Sequence, residues 1–152
     1  MTIELSAGLR PSTASAVRLR LDALPENVML VRQALDGAAR GIGASSDVID
    51  DLKLAVTEAC SNVVKYAYRG ASGELVVSFE PLEDGFIVFV QDSGSWLNRG
   101  SDEDAAGGLG IPLMEAVTRD LEIGSNGQGT TVRLEFALIR SDIGESAESD
   151  DA

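Results

Sequence analysis

Four short stretches of the chain carry residue types that could do chemistry. Glu58 and Asn62 stand four residues apart in a segment with helical periodicity, and so share one face. At about 100° per residue, that face flanks the segment's apolar stripe instead of opposing it. A carboxylate and an amide on such a shoulder can line a cavity between helix and sheet, where one takes a proton and the other's carbonyl oxygen binds a hard cation. The same spacing also describes an ordinary solvated pair. Asp92-Ser93-Gly94 follows the apolar positions Phe86, Val88 and Val90. A carboxylate at a strand end can accept from a donor such as an adenine amino group, with glycine leaving room for a ring, and Asp-Ser-Gly is equally a good turn. Gly107-Gly108-Leu109-Gly110 runs into Ile111 and Pro112. Free N–H groups at a helix start attract phosphate, and the same glycines suit a tight loop needing positive φ. Gly129-Thr130-Thr131 brings hydroxyls to the start of a β-rich run, which strand propensity explains as well.

The elements that must position these residues follow from periodicity. Ala16 to Ala23 alternates, with Val17, Leu19 and Leu21 on one side and Arg18, Arg20 and Asp22 on the other, which predicts a half-buried strand. Pro25 opens a helix with apolar positions Val28, Val31, Leu35 and Ala39, closed by Gly41 and Gly43. Ser45, Ser46 or Asp47 can cap a longer helix striped by Val48, Leu52, Ala55, Val56, Ala59, Val63 and Tyr66, ended by Gly70 and Gly73. A hairpin over 74–80 and 86–92 turns at Asp84-Gly85. Ser93 to Gly108 is polar, glycine-punctuated and long for a compact domain, and is expected to be mobile. A short helix from Ile111 to Val117 and strands over 120–124 and 130–138, around Asn126-Gly127, complete the chain. This order predicts an α+β fold, a two-layer α/β sandwich with helices on one face of a mostly antiparallel sheet.

Composition narrows the functional classes. The 152 residues are 44% hydrophobic, enough for a two-layer core in one domain over 1–140. Ser141 to Ala152 is a polar, acidic run that predicts a disordered tail. A net charge of −13 disfavours nucleic acid and anionic membranes as partners. No apolar run approaches the roughly 20 residues that span a bilayer, and the first ten residues lack a signal-peptide layout, so a cytoplasmic protein is expected. Cys60 is the one cysteine and there is no histidine, which excludes an internal disulfide, a Cys/His metal site and phosphorylation on a histidine of this chain. Packing is its expected role.

The four stretches occur in the order of the GHKL ATP-binding pattern. Leu54 to Asn62 resembles that superfamily's asparagine box, Asp92-x-Gly94 its first glycine box, Gly108-x-Gly110 its second and Gly129-Thr130-Thr131 its last. The resemblance runs from Leu19 to Leu138. The compact length and the run from Gly107 to Ala116 look most like the anti-sigma-factor serine/threonine kinases. The resemblance implies ATP and magnesium as cofactors, with Glu58 as general base and Asn62 as magnesium ligand. It implies that Asp92 binds the adenine amino group, Gly94 floors its pocket, Gly108, Leu109 and Gly110 cradle phosphate, and Thr131 supports the base from the far side. The implied partners are a sigma factor, an antagonist protein phosphorylated on serine, and a second copy of the chain in a homodimer. In-line phosphoryl transfer asks mainly for positioning and charge neutralisation, which this set plus a metal supplies.

Two features depart from the family pattern. The fuller D-x-G-x-G motif has glycine where this chain has Trp96, and an indole there would crowd the nucleotide or cover its base. Ser101-Asp102-Glu103-Asp104, with Arg99 nearby, places carboxylates where a triphosphate would sit, which predicts modest ATP affinity. A catalytically weak regulator of the same fold, binding partners without useful phosphate transfer, is the alternative reading.

Overall fold

Alternation and helical periodicity emerge as real elements in a computed structural model, which describes residues 9–12, 15–96 and 109–140. Among these the order is β1 (Val17–Asp22), α1 (Pro25–Gly41), α2 (Ser46–Asn62), a π-helical turn (Val63–Ala67), β2 (Glu74–Pro81), β3 (Gly85–Asp92), α3 (Ile111–Val117), β4 (Asp120–Ser125) and β5 (Thr130–Ala137). The strands form one sheet in the order β1-β2-β3-β5-β4, with every neighbouring pair antiparallel. The expected α+β sandwich is the architecture found.

Helix boundaries have local causes. Pro25 occupies the first turn of α1, where a missing N–H does no harm, and the Asn27 side chain donates to Asp22 O at 2.8 Å. Ser45 caps α2, its Oγ accepting from Val48 N at 3.3 Å. The long helix does not run on as regular α to Gly70. From Val63 it widens into the π turn, and that widening re-aims its last carbonyls.

Register decides what faces the helices. Val17, Leu19 and Leu21 pair with Phe79, Val77 and Leu75, which pair in turn with Val88, Val90 and Asp92. Val90 and Asp92 continue to Val132 and Thr130. Because side chains alternate along a strand, all of these share one face. The apolar ones join Val31, Leu35, Leu52, Val56 and Val63 in a single core. Phe86 stacks between Phe79 and Phe136, with centroids 5.1 Å apart on both sides. Cys60 is wholly buried there, and burial pushes its thiol up to about 12, in keeping with a packing role.

The opposite face carries Arg18, Arg20 and Arg133. Arg20 Nη1 binds both carboxylate oxygens of Glu74, at 3.0 and 2.9 Å, so this strand position is an ion-paired surface. Arg133 is mostly buried and pairs with Asp120, Glu122 and Glu135. No described helix is long and apolar enough to cross a membrane.

Candidate functional site

Two groups of predicted residues assemble, one at each end of the π turn. Asn62, the last residue of α2, is 1% exposed, and its Nδ2 donates to Leu109 O at 2.6 Å, across 47 residues of chain. Glu58, one turn earlier, is half-buried. Gly110 meets it: a Cβ on Gly110 would lie 2.5 Å from Glu58 Oε2, and the backbone there has φ of 68°. Only glycine satisfies both demands. The structure therefore unites Glu58, Asn62, Leu109 and Gly110. Gly108 and the acidic 101–104 stretch lie outside the described residues.

Beyond the π turn stands Asp92, at the end of β3. Ala67 O, freed by the widened turn, accepts from Ser95 N at 3.0 Å, and a Cβ on Gly94 would lie 2.0 Å from that same oxygen. The glycine is thus required by close packing against the helix end, in addition to any room it leaves for a ring. The Tyr68 hydroxyl accepts from Ser93 N at 2.9 Å and donates to Glu74 O. Residues 93–96, the start of the segment expected to be mobile, are tied down by these bonds; 97–108 lie outside the described residues. Both flanks of that stretch, Trp96 and Leu109, are buried in the core.

Asp92 is 9% exposed and its carboxyl is pushed up to about 6, chiefly by burial. N–H groups of Gly94, Thr130 and Trp96 face it and act in the opposite direction. Gly94 N reaches Oδ1 at 2.9 Å. Among the described residues Asp92 Oδ2, Thr130 Oγ1 and Trp96 Nε1 are buried with no hydrogen-bond partner. Unpaired buried polar atoms are rare in folded proteins, and here two of them belong to residues paired across β3 and β5 and the third to the segment that follows β3. Together they offer both donors and acceptors, the complement of an adenine edge.

The two threonines face opposite ways. Thr131 pairs with Gln91, and so points to the sheet face away from Asp92 and the helices. Thr130, paired with Asp92, carries the hydroxyl on the face of Asp92. A one-residue step along a strand moves a side chain to the other face. The signal that finds Thr130 is its period-two alignment with Val132, Leu134 and Phe136, all buried in the core. Trp96 is fully buried and belongs to the core. The described residues hold no cluster of three or more His, Cys, Asp or Glu suited to a metal. A cation held at Asn62 would therefore draw most of its ligands from phosphate oxygens and water, as magnesium commonly does.

Comparison with known proteins agrees with this geometry. The Histidine kinase-like ATPase domain matches residues 21–136. The serine-protein kinase RsbW of Bacillus subtilis (strain 168) is 33% identical over 138 residues, covering 81% of this chain and 86% of the relative. RsbW of Listeria innocua serovar 6a is 34% identical over 148 residues, covering 88% and 94%. The crystal structure of the RsbU and RsbW domains of Rv1364c from Mycobacterium tuberculosis superposes with a TM-score of 0.64 at 24% identity, a likeness of fold. That match covers 80% of this chain, which spans about a third (32%) of the larger one. With the asparagine on a buried helix end, the aspartate at the end of β3 and the glycine turn against Glu58 all in the expected order, the chain belongs to the Histidine kinase-like ATPase domain family, alongside the RsbW serine-protein kinases.

Proposed function

We propose that this chain is an ATP-dependent serine-protein kinase that also sequesters a sigma factor, and that the serine it phosphorylates lies on an antagonist of that sequestration. The observation that carries the reading is the buried Asp92 carboxylate at the end of β3, whose Oδ2 makes no hydrogen bond in the ligand-free structure, as is also true of the hydroxyl of its strand partner Thr130. Asp92 accepts from the adenine amino group. Asn62 spends its Nδ2 on Leu109 O, which leaves its carbonyl oxygen for a cation. Magnesium, when bound there, neutralises charge across the phosphate oxygens. Glu58 takes the proton from the acceptor serine hydroxyl, and Gly110, packed against its carboxylate, keeps it oriented beside Leu109 and Gly110, which with Gly108 would cradle phosphate. A sigma factor acts where transcription occurs, so the reading implies a cytoplasmic protein. A homodimer is part of the same reading, and a gel-filtration mass twice that of one chain tests it.

The deciding experiment titrates the purified chain with magnesium-ATP by calorimetry, beside Asn62→Ala and Asp92→Asn, then follows radiolabel from ATP to the serine of a candidate antagonist. Saturable binding that both substitutions weaken, followed by transfer, is the expected result. No binding up to millimolar ATP would sink the nucleotide site. Binding with no transfer to any antagonist would leave a sequestering regulator without kinase activity.

A further inference from the structure

Trp96 stands where the D-x-G-x-G motif has glycine, and its surroundings give it a task. The indole is fully buried and belongs to the same core as Val88, Val90 and Val132. Its N–H faces the Asp92 carboxylate. Neither Trp96 Nε1 nor Asp92 Oδ2 makes a hydrogen bond in the ligand-free structure, so donor and acceptor face one another with the bond between them not closed. Leaving both buried and unpaired is destabilising, and closing a charge-assisted bond between them relieves it. Among the described residues the other neighbours bring no competing charge. Leu75 and Thr130 flank Asp92 across the sheet, and Gly94 N occupies Oδ1. Glu58, on α2, is held against Gly110. The titratable group beside the loop is the Tyr68 phenol, whose pKa is raised by burial, so it stays protonated.

We propose that Trp96 is a positioning residue for Asp92: its indole N–H donates to Oδ2, holding the carboxylate charged and aimed at the amino group of a bound adenine nucleotide. This rests on the nucleotide-site reading above. A carboxylate oxygen has two lone pairs, so Oδ2 accepts the indole and an incoming amino group together. The arrangement has a definite sign. Were the indole instead a competitor for the acceptor, removing its N–H would tighten nucleotide binding.

The test uses the full chain, with magnesium-ADP as the probe, comparing wild type, Trp96→Phe and Asp92→Asn by calorimetry near Asp92's midpoint of about 6 and well above it. Phenylalanine keeps an aromatic ring and lacks the N–H. Trp96→Phe is expected to bind about tenfold more weakly, the loss of one hydrogen bond to a charged group. The loss should grow as pH falls, because the unsupported carboxyl takes up its proton at higher pH. Affinity in Trp96→Phe equal to or tighter than wild type at both pH values overturns the proposal and leaves the nucleotide site standing, whereas a wild type that binds no ADP overturns both. A ligand-free measurement guards against a misfolded variant. The chain has one tryptophan, so the wild-type emission spectrum should shift through a midpoint of about 6 and should not do so in Asp92→Asn. A flat wild-type emission also overturns the proposal.

Discussion

Burial raises the Asp92 carboxyl from 3.8 to about 6, so across that window the folded chain holds a proton that the unfolded chain has released. The stability this group contributes is fully present below 3.8 and is lost as pH rises through about 6. The amount at stake is on the order of 2–3 kcal/mol. Denaturant titrations should find the ligand-free wild type losing stability across this window, with a shallower decline in Asp92→Asn. Equal slopes would mean that the carboxylate is already solvated. Asp36 and Glu135 act with the opposite sign at lower pH. The Lys53 and Arg40 partners of Asp36, and the Arg133 and Arg119 partners of Glu135, hold those carboxyls below the usual range. Glu58 is a different case, because the role proposed for it lies in proton transfer. Glu58→Gln is expected to keep ATP affinity within about twofold and to lower phosphate transfer by about 10²–10⁴ in single-turnover assays. Transfer at the wild-type rate would remove Glu58 from the reaction.

At the scale of elements, the π turn joins the two halves of the site. Asn62 immediately precedes it and Ala67 O, at its end, holds the Gly94-Ser95 backbone. Gly94→Ala would drive a methyl into that carbonyl and is expected to destabilise the fold by about 2–3 kcal/mol, measured as a lower denaturation midpoint at unchanged slope. Gly110→Ala is expected to act differently. It would strain a left-handed residue by about 1–2 kcal/mol and push the Glu58 carboxylate aside, so that transfer falls more than stability does. The helices and strands were legible from periodicity to within a residue or two, because each buries one face against the same core. The π turn was not legible. Val63 and Tyr66 continue the apolar stripe of α2, and a widened turn keeps those residues inward while changing where the backbone carbonyls point.

At the scale of the molecule, the charge of −13 is distributed over a surface where several arginines are already paired with acids, as Arg20, Arg40, Arg119 and Arg133 are. The remaining acidic excess repels itself and is screened by salt. Raising the salt concentration from low to physiological should therefore raise the melting temperature. A fall would mean that the surface ion pairs outweigh the net repulsion. The same excess favours a basic partner face, so association with the sigma factor proposed as partner should slow as salt increases.

By itself the sequence determined the fold class and the order of elements, because periodicity, caps and glycine spacing are local properties of a chain. It also named Glu58, Asn62 and Asp92 as candidates, since each stands at a defined place on its own helix or strand. The tertiary structure decided which groups meet. The pairing of β3 with β5 put Thr130 and not Thr131 on the face of Asp92, the return of the chain at Leu109 and Gly110 closed the Asn62 and Glu58 end, and the core took in Trp96. Register across a sheet and packing between elements distant in sequence depend on the whole set of buried faces at once, and no single stretch of residues carries that information.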